Sequence, residues 1–224
     1  MPRTEDTQAG SSARREYAHR RDSRNARIKA RYGTVGSLVA AVAGEPAHVH
    51  AWRQGAEGEA ATARALSIRL ARSDVIVLHD RRAGQRSRAN IDHIAIAPTG
   101  VTVIDTKSTR GTVQLSTTGI INRHERLLVN RRDRTSQLDS LERQIQLVAG
   151  VLDRSGAGHV PVTGALSFPF MRREWLHNAR ARGGLIIVDD PAHIAKALKR
   201  PGPICREDVE RLAELLDTAL PPAT

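Results

Sequence analysis

The residues best placed to do chemistry are Asp92, Asp105 and Lys107, within the run Ile91 to Lys107, IDHIAIAPTGVTVIDTK. Two short apolar runs rich in Ile and Val flank Pro98-Thr99-Gly100, with an acid near each outer end. That pattern predicts a β-hairpin. With a two-residue loop at Pro98-Thr99, Ala97 pairs with Gly100, Ile96 with Val101, Ile94 with Val103 and Asp92 with Asp105. Cross-strand partners hold their Cβ atoms ~4.5–5.5 Å apart and residues two apart share a face, so Lys107 would project beside the two acids. Like charges so placed repel unless a cation lies between them, and a divalent metal ion with an ammonium at its margin answers that need. A three-residue loop with Gly100 in a left-handed bulge is the other register open to this sequence, and it sends the acids to opposite faces. In the plainest alternative both acids are solvated strand ends and Lys107 is an ordinary surface residue, because Asp-x-Lys by itself recurs by chance.

The elements that must position these residues follow from periodicity. A folded domain is expected over residues 46–221, starting near Trp52. Ala63, Leu66 and Leu70 mark one helical face after the segment Gln54 to Glu59. This reading puts Glu57 and Glu59 in the first turns, where the helix dipole favours an acid by ~0.3–1 kcal/mol and offers a dull explanation for both. Asp74 to His79 reads as a buried strand, and the following DRRAGQRSRAN as a polar turn with four arginines, either a guide for a phosphate backbone or a solvated loop. Gly111 to Leu115 predicts a further strand, and Gly119 begins another that runs on through Leu127 to Val129. Leu138, Leu141, Ile145, Val148 and Leu152 predict a helix from Thr135 to Leu152, with Ser136 and Asp139 as a capping box and Gln137 on the first turn. Val160 to Phe168 and Gly184 to Val188 read as strands. Asp190-Pro191 is a helix start that accounts for the Asp189-Asp190 pair without catalysis. The last helix, Glu207 to Leu220, places Val209, Leu212, Leu215, Leu216 and Ala219 on one face. The order implies an α/β fold with a central mixed β-sheet flanked by helices.

Composition narrows the partners. Lys and Arg number 35 against 24 acids, a formal net charge of +11, which attracts polyanions and above all nucleic acid. An anionic membrane surface, or solubility alone, would also account for the excess. Aromatics make up 3% of residues, which disfavours a platform of stacked rings for single strands and favours arginines directed at the backbone. The single cysteine, Cys205, excludes an intramolecular disulfide framework and fits a reducing, cytoplasmic setting. No signal peptide is apparent, and the longest apolar run, Leu38 to Ala43, falls far short of the ~20 residues of a membrane helix. Residues 1–45 read as a basic, flexible tail and linker, either an arm that grasps nucleic acid or a solubilising leader. His48, His50 and His93 stand at no zinc-like spacing with a second His or Cys pair. His93 should alternate with Asp92 onto the other face of its strand as a structural residue.

Taken together, W-x-x-G-A-E-G-E at Trp52 to Glu59, I-D-H at Ile91 to His93, G-V-x-V-I-D-T-K at Gly100 to Lys107 and the helix opening at Gln137 resemble the nuclease-related domain (NERD) family, grouped with the PD-(D/E)XK nucleases. The resemblance spans roughly Trp52 to Leu220. It implies a restriction-endonuclease-like core and a metal-dependent nuclease acting on nucleic acid, DNA favoured. Carried over residue by residue, it makes Glu59 the helix acid, Asp92 the first strand acid, Asp105 with Lys107 the acid-x-lysine pair, and Gln137 the glutamine of the following helix. Glu59, Asp92 and Asp105 would hold Mg²⁺ or Mn²⁺, which take oxygen ligands and keep several waters. The ion would polarise the scissile phosphate and activate a water, and Lys107 would stabilise the growing charge. The family usually carries Glu-x-Lys. Asp105 is one methylene shorter, which draws the ion nearer the strand or binds it through water.

Two other function classes stay open at the level of sequence. One is a nucleic-acid-binding or scaffold module that keeps this fold without turnover. The other is a protein whose basic tail docks on a membrane or a protein partner. The enzymatic reading demands that the helix glutamate and the two hairpin aspartates converge. Acids scattered to different sides of the sheet, or an ion pair plugging the place of the metal, would leave only a basic polyanion binder.

Overall fold

The computed structural model describes residues 47–82, 90–118, 124–171 and 179–223, with side chains from residue 54 onward except at 118 and 124. The expected basic tail, the apolar run near residue 40, the middle of the arginine-rich turn and the strand start at residue 119 lie outside them, as do the side chains of His48, His50 and Trp52.

The chain runs α1 (Ala47–Leu70), β1 (Ile76–Arg82), β2 (Asn90–Ala97), β3 (Gly100–Thr106), β4 (Val113–Thr118), β5 (His124–Val129), β6 (Arg132–Asp133), α2 (Ser136–Arg154), β7 (Val162–Ser167), β8 (Ala179–Ala181), β9 (Ile186–Asp189), α3 (Pro191–Leu198) and α4 (Arg206–Ala219). Six strands form one mixed sheet in the order β1-β2-β3-β7-β9-β8, and β4, β5 and β6 form a smaller sheet. β1, β2 and β3 are an antiparallel meander, β3, β7 and β9 are parallel, and β8 is antiparallel to β9. This is an α/β fold with a restriction-endonuclease-like core.

Alternation along the strands divides the apolar residues between two layers. Ile94, Ile96, Val101, Val103 and Leu166 face α2 and α4, meeting Leu138, Leu141, Val148, Val209 and Leu216. Ala95, Ala97, Ile104 and Ala165 face α1 and α3, meeting Leu66, Leu70, Ile194 and Leu198. The α2 layer is seated on Gly164 of β7, where an added Cβ would stand 2.7 Å from Ile145 Cδ1 and 3.0 Å from Leu141 Cδ2. Gly164→Val is therefore expected to cost about 1–3 kcal/mol of stability by overpacking, measured as a lowered urea midpoint.

The hairpin takes the two-residue loop. Ala97 pairs with Gly100, Ile96 with Val101, Ile94 with Val103 and His93 with Ile104, which excludes the bulged alternative. Gly100 has φ 126°, and a Cβ there would collide with the Pro161 carbonyl.

Four expectations need correction. First, α1 begins at Ala47, so Gly55 and Gly58 lie within the helix, and Glu59 is more than three turns in. No acid occupies its first turn, so the dipole does not explain Glu57 or Glu59. Second, β1 continues through Arg81 and Arg82, which were expected in the polar turn. Buried Arg81 pairs with Asp217 of α4, and the C-terminal segment bonds along that edge through Arg82 N to Pro221 O, 2.9 Å, and Ala223 N to Asp80 O, 2.8 Å. Third, the Ser136/Asp139 capping box does not form. The flanking residue is Thr135, whose hydroxyl donates to Asp133 Oδ1 at 2.6 Å, while Asp139 pairs with Arg182. Fourth, Ala219 is exposed rather than on the packed face of α4.

Candidate metal centre

The site is built where the start of β2 and the end of β3 meet the middle of α1. One step beyond the last hairpin pair, His93 with Ile104, come Asp92 and Asp105, on the face shared with Ile94 and Val103. The Thr106 N–H donates to Asp92 Oδ2 at 2.7 Å and closes the hairpin at that level. Asp105 is buried, its strand partner on the other side being Leu166 of β7. The Lys107 N–H donates to the Ser167 carbonyl at 2.8 Å, which fixes the chain as it leaves β3. The Lys107 ammonium lies 2.6 Å from Asp105 Oδ2.

Glu59 reaches this end through close packing of α1. A Cβ on Gly58 would stand 2.8 Å from Ser108 Cβ, so the helix can touch the segment after Lys107 only because residue 58 is glycine. Three residues past Glu59, the Thr62 hydroxyl bonds the Ser167 hydroxyl at 3.0 Å. Both contacts hold Glu59 over the end of β3 and β7, and its charge is felt by Asp92 and Lys107 alike. Gln137 arrives by topology. With Leu141 above Gly164, one helical turn back toward the start of α2 is ~6 Å, about the two-residue advance along β7 from Gly164 to Leu166, the neighbour of Asp105. Gln137 Oε1 is buried without a hydrogen-bond partner.

The electrostatics show an excess of negative charge. Burial first, then Asp105, then Glu59 raise the Asp92 carboxyl well above its ordinary range, against the Thr106 hydrogen bond and Lys107, which lower it. For Lys107 burial is the largest influence and works downward. Asp105, Asp92 and Glu59 outweigh it and hold the ammonium above its usual value. One ammonium thus faces three carboxylates. The Lys107–Asp105 ion pair engages one oxygen of Asp105, and a cation there would have to bind beside the ammonium or displace it. Asp105 Oδ2 is buried and receives no hydrogen bond beyond this approach of the ammonium. An all-oxygen, electron-rich donor set of this kind fits a hard divalent cation such as Mg²⁺ or Mn²⁺.

Glu59, Asp92 and Asp105 are not all drawn within 4.8 Å of one another. Among the described residues, the group that is so close is Asp189, Asp190 and His193. Its geometry is that of a helix start: Asp190 Oδ1 accepts from Ala192 N at 2.8 Å and His193 N at 3.0 Å, with Pro191 at the first helical position. Asp189 Oδ1 accepts from Asp190 N at 2.7 Å. The expected cap therefore forms, with His193, unremarked in the sequence, turned back 3.3 Å from both acids.

His93 lies on the opposite face from Asp92, buried, with Nδ1 2.8 Å from His79 Nδ1 and Nε2 3.4 Å from the Thr106 hydroxyl. Two ring nitrogens at that distance share one proton. Burial, and then His79, hold His93 well below its ordinary value. The unfolded chain takes up a proton near pH 6.5 that the folded chain refuses, so this contribution to stability is present above ~6.5 and is lost as pH falls, by up to about 1.4 kcal/mol per pH unit. Between pH 7 and pH 5 the urea midpoint of His93→Gln should fall less, or rise more, than that of wild type, in which the Asp92 proton pulls the opposite way.

No helix among the described residues is long and apolar enough to cross a membrane. Neither a curated protein nor a solved structure matches the chain. The family model described as nuclease-related domain matches residues 54–169, just over half of the 224 residues and the whole of the segment from Glu59 to Gln137. By that match, and with this core beneath it, the chain belongs to the nuclease-related domain family.

Proposed function

We propose that this protein hydrolyses phosphodiester bonds in nucleic acid, DNA by preference, and that Glu59, Asp92 and Asp105 would hold the Mg²⁺ or Mn²⁺ it uses. The observation that carries the reading is the surplus of carboxylate charge at one end of the sheet beside one ammonium. When bound, such an ion supplies Lewis acidity at the phosphate and an acidified water.

The residues of the chain do the rest. Asp92, tied by Thr106 N, and Asp105, fixed in the middle of the sheet, are rigid oxygen donors on one face. Lys107 would move from Asp105 to an oxygen on which charge accumulates in the transition state, where a positioned cation stabilises the transition state more than the ground state. Gln137 offers an amide carbonyl with no partner of its own, suited to orienting a water at the margin. Buried surroundings exclude bulk water and strengthen each of these contacts.

The test is cleavage of circular and linear duplex DNA, single-stranded DNA and RNA with each metal. Wild type should cut and Asp92→Ala should not; equal cutting by both would sink the assignment. The existing Lys107–Asp105 pair favours one second reading, a binding module in which that ion pair has replaced the metal. Salt-sensitive DNA binding with no cleavage in either metal would select it.

A further inference from the structure

A second functional surface is built from the turn between β5 and β6. Val129 pairs with Arg132, leaving Asn130 and Arg131 as a two-residue loop with φ 50° and 63°. Both lie in the left-handed region, where the second position of such a turn favours glycine. Arginine there costs free energy, and no ion pair among the described residues repays it.

The turn is held in place. The Asn130 amide oxygen accepts from Thr112 N at 3.0 Å, its amide nitrogen donates to the Arg110 carbonyl at 2.9 Å, and its backbone N–H donates to the Thr112 carbonyl at 2.9 Å. Gly111 has φ 114°, and a Cβ there would collide with the Asn130 side chain. The segment gripped in this way begins at Lys107. Arg110 is three residues beyond that lysine, its guanidinium 4.8 Å over the Phe170 ring. On the other flank Arg134 stands three residues before Gln137.

Arg110, Arg131, Arg132 and Arg134 are all exposed, and among the described residues none of them is in an ion pair. Asp133, the acid in their midst, is occupied by Arg126 at 2.8 Å and by Thr135. The result is a backbone turn fixed in place that carries four exposed guanidinium groups outside any ion pair among the described residues, close in sequence to Lys107 on one side and Gln137 on the other. We propose that this asparagine-stapled turn grips the phosphate backbone of nucleic acid on its approach to the metal centre. The inference rests on the preceding reading for its choice of partner, and is tested apart from catalysis.

Binding of a labelled short DNA duplex is measured by fluorescence anisotropy in EDTA over a range of KCl. Arg131→Ala/Arg132→Ala is compared with Lys196→Ala/Lys199→Ala, an equal change of charge on the groove that Lys196 and Lys199 form with Arg69 across α1 and α3. The turn variant should bind roughly tenfold more weakly, with a salt slope smaller by about two, and the control should stay near wild type. Equal losses in the two variants would reduce the effect to net charge and overturn the proposal, as would an unaffected turn variant or a wild type that binds no nucleic acid. Turn-dependent binding without cleavage in any metal would sink the hydrolytic reading and leave this one standing. Cleavage with turn-independent binding would do the reverse.

Discussion

The Lys107→Ala variant is expected to lose about 10²–10³ in the rate of Mg²⁺-dependent cleavage while binding the metal at least as tightly as wild type. The ammonium now lies 2.6 Å from Asp105 Oδ2, where it neutralises a carboxylate oxygen that a metal would need. Removing it frees that oxygen and removes a like charge from the neighbourhood of the cation. A residue that only supported the fold would lose stability and metal affinity together with activity. A residue that acts in the transition state loses rate alone. Single-turnover cleavage and calorimetric Mg²⁺ titration separate these outcomes. A variant that cleaves within a few-fold of wild type would remove Lys107 from the chemistry. A variant that cleaves poorly because it no longer binds Mg²⁺ would make the lysine a structural partner of Asp105.

The hairpin was legible because alternation with period two leaves few registers, and the buried Ile94, Ile96, Val101 and Val103 punish a slip by one residue. The sequence still left two registers open, and only the two-residue loop that the structure adopts puts Asp92 and Asp105 on one face. Glu59 could not be placed from sequence. The two glycines near it read as chain-turning residues before a helix, whereas Gly58 is within α1 and serves a close approach to Ser108, a purpose that only the packed helix reveals. Gln137 was located on its helix by periodicity, but the level at which α2 packs depends on Leu141 meeting Gly164 across a crossover.

Charge misled in the same way. Arg81 looks like a loop residue until Asp217, far along the chain on α4, compensates it inside the fold. The Ser136/Asp139 cap was locally sound but lost to Asp133 and Arg182, which claimed Thr135 and Asp139. β8 has only three residues and shows no alternation to read. The arginine turn at Asn130-Arg131 lacks the glycine that usually announces it, so a two-residue loop had no local signature there.

The Asp92 carboxylate, proposed above as a metal ligand, is held against its burial and two neighbouring acids, and this predicts that Asp92→Asn melts higher than wild type in EDTA at a pH above the folded Asp92 value. Burial, Asp105 and Glu59 raise the Asp92 carboxyl above its unfolded value. The folded state therefore holds a proton that the unfolded state has released. The stability linked to that proton is fully present below ~4 and is lost as pH rises through the raised folded value. Above that folded value the wild type has lost it, while an amide at position 92 is neutral throughout and still accepts from Thr106 N through its oxygen. Each kcal/mol of relief should appear as about 2–4 °C in Tm for a chain of this size. Adding Mg²⁺ or Mn²⁺ should reverse the order, because an ion that binds only the folded wild type stabilises it in proportion to the logarithm of its concentration over Kd, and Asp92→Asn has lost a ligand. Metal affinity of the wild type should also rise with pH, since binding must expel the Asp92 proton. An Asp92→Asn protein that melts below wild type in EDTA and gains as much from Mg²⁺ would mean that Asp92 is a structural hydrogen-bond acceptor and that the cation, if any, is held elsewhere.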